Sequence, residues 1–143
     1  ASERKNSFLK VLKKNKINFN SKYYSSVKLE EPEKSFEIIK KMLLNNRKIS
    51  SIICSTEFSA LSAIKACNFL NLKIGQDISI ITFDGPLVRD LSTPPITAVS
   101  FPVKELGKKA INILLNKKRN SNKIENFLAN VKIIERGSVH NCK

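Results

Sequence analysis

The run "ISIITFDG", residues 78–85, carries apolar and β-branched residues straight into a carboxylate, Asp84, and a glycine. An unpaired buried charge costs on the order of several kcal/mol, so Asp84 needs a ligand or a hydrogen-bond donor of its own. As a bidentate acceptor it suits two vicinal hydroxyls or an amine. The local alternative is a cap on a short helical turn over residues 87–91, with Gly85 and Pro86 making the bend. Thr56 holds the matching place after "SIICS" (51–55). It fits the N-cap of the next helix, and at the same edge it could also touch a ligand. No catalytic set accompanies these two residues. The single histidine, His140, stands near the C-terminus, and Glu30 and Glu31 lie in a solvated loop. Four glycines make no phosphate cradle. Cys54, Cys67 and Cys142 are odd in number and form no C-x-x-C pair. They read as reduced thiols serving as small hydrophobes, and neither metal nor cofactor is called for.

These positions need a scaffold, and the hydrophobic pattern supplies one. Residues 3–15 are amphipathic, with Phe8, Val11 and Leu12 as the apolar positions. A strand is expected over residues 22–27. Pro32 opens a helix that runs to residue 46 on Phe36, Ile39, Met42 and Leu43. The strand at 51–55 is followed by a helix over 57–70, with Ala60, Leu61, Ala63, Ile64 and Cys67 on its apolar face. Gly75 is the expected stop beyond that helix. Strands follow at 77–83 and 96–101, then a helix from Pro102 to about residue 118, then a tail with two β-rich pieces. Continuous apolar strands alternating with amphipathic helices predict an α/β fold, a parallel sheet flanked by helices on both faces. In such sheets ligands bind outside the carboxyl ends of the strands, where Thr56 and Asp84 stand.

At 143 residues the chain is one domain's worth of protein. No run of eighteen apolar residues is present, so no membrane span is expected. The first twenty residues lack the apolar stretch of a secretory signal. The formal charge is +14, but 21 of the 26 cations are lysines scattered along the chain, and the ten aromatics do not interleave with them. That pattern describes a solvated basic surface rather than a nucleic-acid footprint.

Taken in order, "A-L-x-A" (60–63), "D-I-S-I-I-x-F-D" (77–84), "P-P-I-T-x-V" (94–99), "E-L-G" (105–107) and "E-R-G-S" (135–138) resemble the lactose-repressor (LacI/GalR-type) family of transcription regulators. The likeness is to its effector-binding core, a periplasmic-binding-protein-like (type I) fold, and runs from about Arg4 to Ser138. It implies a partial effector-binding domain over residues 1–143. About 1–100 and 131–143 would belong to the C-terminal subdomain and about 102–130 to the N-terminal one, with the DNA-binding helix-turn-helix outside this chain. It also implies effector contacts at Arg4, Thr56 and Asp84, and effector or hinge neighbours at Phe58, Phe101 and Val103. A dimer interface is implied at Ala60, Leu61 and Ile64.

The expected function is therefore that of a cytoplasmic, ligand-responsive repressor, not an enzyme. Its partners would be a small-molecule effector, in the first instance a sugar, a second copy of the chain, and operator DNA reached only through segments outside this sequence. Thr56 stands where sugar-responsive members carry Asn, Glu57 where Asp is usual, and Val103 where some members carry an aromatic. The main rival is a periplasmic sugar-binding protein of the same fold. An enzyme would need an acid/base pair that the sequence lacks.

Overall fold

Three parallel strands, β1 (Ser51–Cys54), β2 (Ser79–Phe83) and β3 (Thr97–Ser100), and a fourth, β4 (Lys132–Ile134), form one sheet in the order β1-β2-β3-β4. The computed structural model describes residues 2–27, 31–83, 85, 88, 91–116 and 126–140. Register pairs Ile52 with Ile80 and Cys54 with Thr82 across β1 and β2, and Phe83 with Val99 across β2 and β3. β4 runs antiparallel to β3, with Ile133 opposite Val99. The sheet is thus mixed where a wholly parallel one was expected. Only one of the two β-rich tail pieces forms a strand among the described residues.

The helices that position the site are α1 (Ser2–Lys14), α2 (Pro32–Asn45), α3 (Glu57–Phe69) and α4 (Val103–Asn116). The strand expected over 22–27 does not form. The Asn20 side chain accepts from the Lys22 N–H at 3.0 Å and the Tyr24 N–H donates to the Ser21 carbonyl at 3.0 Å. Those bonds close a 3₁₀ turn, Ser21–Tyr23, in place of a ladder. Local side-chain capture of a backbone N–H overrides β-propensity there.

Alternation along the strands decides which residues meet the helices. Ile52, Cys54 and Ile80 face α2 and α3 and join one core with Phe36, Leu43, Ala60, Ala63, Ala66 and Cys67. Ala60, Ala63, Ala66 and Cys67 are wholly buried, so the small-residue face of α3 lies against its own core. Absent side-chain bulk there lets helix and sheet approach closely. The opposite face is less covered than expected, because Ile53 remains 56% exposed. α4 likewise leaves Val103, Ile111, Leu114 and Leu115 exposed.

α3 ends at Phe69 with Leu70 as its C-cap, and Asn71 just beyond takes a left-handed φ of 55°, so the expected stop at Gly75 falls one turn too late. Gly75, at φ 80°, serves the tail instead. A Cβ on it would sit 2.1 Å from the Gly137 carbonyl oxygen. That close passage lets "ERGS" lace the amino ends of β2 and β3 together. Ser138, fully buried, donates through Oγ to the Ile80 carbonyl at 2.6 Å and accepts from the Thr97 N–H at 2.8 Å. Arg136 donates from Nη1 to the Ile96 carbonyl at 2.5 Å and from its own N–H to Thr97 Oγ1 at 2.9 Å. His140, which carries no catalytic argument in the sequence, donates its N–H to Ser79 Oγ at 3.2 Å, and its Nδ1 lies 2.9 Å from that hydroxyl.

Candidate functional site

The carboxyl ends of β1, β2 and β3 meet around one side chain, Arg4, in the first turn of α1. Its Nη1 donates to the Ser55 carbonyl at 2.6 Å. Its guanidinium carbon lies 4.1 Å from the centroid of the Phe83 ring and 5.9 Å from that of Phe101. The two rings stack on each other, 6.1 Å apart at an interplanar angle of 20°. Register explains the pair: Phe83 lies opposite Val99, and Phe101, two residues on, points to the same side of the sheet. A planar cation over an aromatic face gains from the ring quadrupole. Arg4 is nevertheless exposed to solvent, so a fork of charge-bearing donors stands at the strand ends.

Thr56 adopts the cap its sequence position predicts. Its Oγ1 accepts from the Ser59 N–H at 3.2 Å, while Ser59 Oγ accepts from the Thr56 N–H at 3.2 Å, a reciprocal capping box. The Thr56 carbonyl also accepts from the buried Thr82 hydroxyl at 3.2 Å, which ties α3's start to β2. Glu57, the next residue, folds over the loop after β2. Its Oε1 accepts from the Val88 N–H at 3.2 Å, and a Cβ on Gly85 would come within 2.4 Å of that oxygen. Gly85 is therefore the residue that admits the Glu57 carboxylate. Asp84 and most of the turn expected at 87–91 lie outside the described residues.

The remaining candidates separate. Phe101 joins the Arg4 cluster and also lines a groove of about 400 Å³ with Ser100, Pro102, Glu105, Asn130, Lys132 and Ile134. Phe58 is 52% and Val103 70% exposed, and neither takes part in the Arg4 stack. Ala60 is wholly buried and thus has no surface to offer a partner; Leu61 and Ile64 are half-buried against the core. The exposed apolar residues of α3 are Phe58 and Phe69. Sequence reasoning passed over Phe83, although its place at the end of β2 and its odd parity with Ile81 put it on one face of the sheet beside the strand end. It also passed over Ser59 and Ser55, the second supplying only a backbone carbonyl that no residue type could announce.

Beneath the site, burial pushes the Cys54 thiol up to about 12, against a smaller lowering by Ser59, and pushes Cys67 up to about 11. Neither is poised as a nucleophile, since the thiolate is the reactive form. Among the described residues no group of three His, Cys, Asp or Glu side chains is arranged to hold a metal ion. No described helix is long and apolar enough to cross a membrane.

Comparison with known proteins places this geometry among relatives. A family model described as a periplasmic binding protein-like domain matches residues 1–139. The HTH-type transcriptional repressor PurR of Erwinia tasmaniensis is 32% identical over 113 residues, which are 76% of this chain and 32% of that protein. The chain thus spans about a third of the length of the curated relatives it matches. Among solved structures, the Escherichia coli transcriptional repressor ascG superposes with a TM-score of 0.73 at 26% identity, over 91% of this chain and 47% of that one. A LacI family transcriptional regulator from Bifidobacterium animalis subsp. lactis gives 0.69 at 26% identity, over 78% and 41%.

Proposed function

The chain belongs to the periplasmic binding protein-like domain family, and from that premise we propose that it is the effector-binding region of a LacI/PurR-type transcriptional regulator. The relatives it matches are transcriptional regulators rather than enzymes. One observation carries the reading: Arg4, held over Phe83 and bonded to the Ser55 carbonyl, stands where three strands end. Asp84 follows Phe83 directly in sequence. A guanidinium fork donates and a carboxylate accepts, so the two side-chain types together suit a polyhydroxylated molecule. A sugar is the effector class this chemistry favours.

The mechanism follows from differential affinity. In this reading residues 102–130 reach into a second lobe, which would cover the apolar side of α4 that carries Val103, Ile111 and Leu114. An effector gripped between lobes binds the closed arrangement better than the open one. It shifts their equilibrium by no more than that difference. The regulator works in the cytoplasm as a homodimer and reaches operator DNA through segments outside this sequence.

Calorimetric titration with a sugar panel tests the assignment. Asp84→Ala should lose about 2–4 kcal/mol of affinity, the loss expected when a charge-assisted partner of the ligand is truncated. Unchanged binding in that variant would remove Asp84 from the site. The coding sequence upstream of residue 1 separates the regulator from its rival, since a helix-turn-helix supports the first and an export signal the second.

A further inference from the structure

Arg4 is exposed, and an exposed arginine ordinarily samples many rotamers, so a ligand that uses it must pay for ordering it. Here that ordering is built into the strand ends. We propose that Phe83 is a positioning residue: its ring, with Phe101 stacked alongside it, holds the Arg4 guanidinium ready for ligand. This rests on the effector-binding reading above. The planar group lies 4.1 Å from the Phe83 centroid, within the range at which a cation and a ring face attract. The Ser55 carbonyl takes one of its N–H donors and thereby fixes rotation in the plane of the fork. Its remaining donors are left at the edge, where a ligand oxygen can reach them.

Phe101 gives this arrangement a second consequence. Its ring stacks on Phe83 and lies 5.9 Å from the guanidinium, near the outer edge of cation–ring attraction, so it acts on Arg4 directly but more weakly than Phe83 and also steadies the Phe83 ring. It also stands two residues before the start of α4 at Val103. Any displacement of the segment entering α4 that unstacks Phe101 removes the brace and loosens Arg4. Ligand readiness at the strand ends is thereby tied to the position of α4.

Arginine side-chain NMR on the isotopically labelled full chain tests this without any ligand. The Arg4 δ-protons should be shifted upfield by the ring current of Phe83. Phe83→Leu should return them to unstructured positions, Phe83→Tyr should keep the shift, and Phe101→Leu should reduce it. Arg4 signals at unstructured positions in the parent chain, or a shift unchanged in Phe83→Leu, would overturn the proposal. Should Phe83→Leu fail to fold, the parent chain, Phe83→Tyr and Phe101→Leu still decide it. Calorimetry with D-glucose, D-galactose, D-ribose and lactose supplies the second readout. A sugar that binds the parent chain should bind Phe83→Leu about fivefold to twentyfold more weakly, with Phe83→Tyr close to the parent. Equal affinity in Phe83→Leu also overturns it. A ring-current shift with none of the four sugars bound supports the positioning role and counts against the sugar-effector reading.

Discussion

At the amino ends of β2 and β3 the returning tail satisfies buried polar groups with its own: Ser138 bridges the Ile80 carbonyl and the Thr97 N–H, and Arg136 covers the Ile96 carbonyl. At the carboxyl ends of the same strands, which are 5 residues long in β2 and 4 in β3, a cation and two rings stand at the surface with donor capacity unspent. The first end closes on itself; the second is the one the proposed function assigns to a ligand. Parallel strands place all their carboxyl ends together, so one sheet can be saturated at one edge and receptive at the other. Stability and ligand affinity should therefore respond to different substitutions.

The largest expected effect is at the closed end. Ser138→Ala strands an N–H and a carbonyl where exposure is 0%, and unsatisfied buried groups cost about 1–3 kcal/mol each. A loss of about 2–4 kcal/mol in urea unfolding is expected, with the affinity of the folded chain for sugar unchanged. A stability within about 0.5 kcal/mol of the parent would show that the tail does not lock the sheet. Asp84→Ala makes the opposite pair of expectations and completes the contrast.

Thr56 sits where the two roles overlap. As an N-cap it is worth about 1 kcal/mol, so Thr56→Ala should lower the unfolding free energy by that amount and Thr56→Ser should restore it. A variant that unfolds like the parent yet binds sugar more weakly would move Thr56 from capping to ligand contact, and would sharpen where the receptive edge begins.

How much of this was legible beforehand depended on whether the cause was local. The helices followed from apolar spacing, and the Thr56 cap from a threonine between a strand and a helical pattern. The run 51–55 read as a buried strand because one face of it is. Residues 22–27 misled because β-formers there spend their backbone bonds on an Asn20-capped turn. The antiparallel direction of β4 was invisible, since polarity depends on where a tail returns and not on its composition. Arg4 was reached only through family resemblance; its own neighbours in sequence say nothing of Ser55, Phe83 and Phe101, which are 51, 79 and 97 positions away. Phe83 was missed because an aromatic in a strand reads as core. The contacts of the scattered lysines were equally out of reach: Lys65 bonds Glu33, 32 positions away, at 2.7 Å and lies 4.7 Å from the Phe36 ring centroid.

The smallest expected effect probes how dry the core stays directly beneath the receptive edge. Cys54 is the last residue of β1 and is 4% exposed. Burial raises its folded pKa to about 12 from 9.0. Between those values the unfolded chain releases a proton that the folded chain retains, so rising pH favours unfolding. The contribution is complete below pH 9 and disappears towards pH 12; by pH 10 one such thiol should cost about 1 kcal/mol. Lysines titrate in the same range, so the measurement is the difference between the parent and Cys54→Ala. Unfolding free energy should fall more steeply from pH 8 to pH 10 in the parent. Parallel pH profiles would mean that the thiol ionises in the folded chain almost as easily as in the unfolded one. Water would then reach the strand end under Arg4, and the division between a closed core and an open edge would have to be drawn deeper in the sheet.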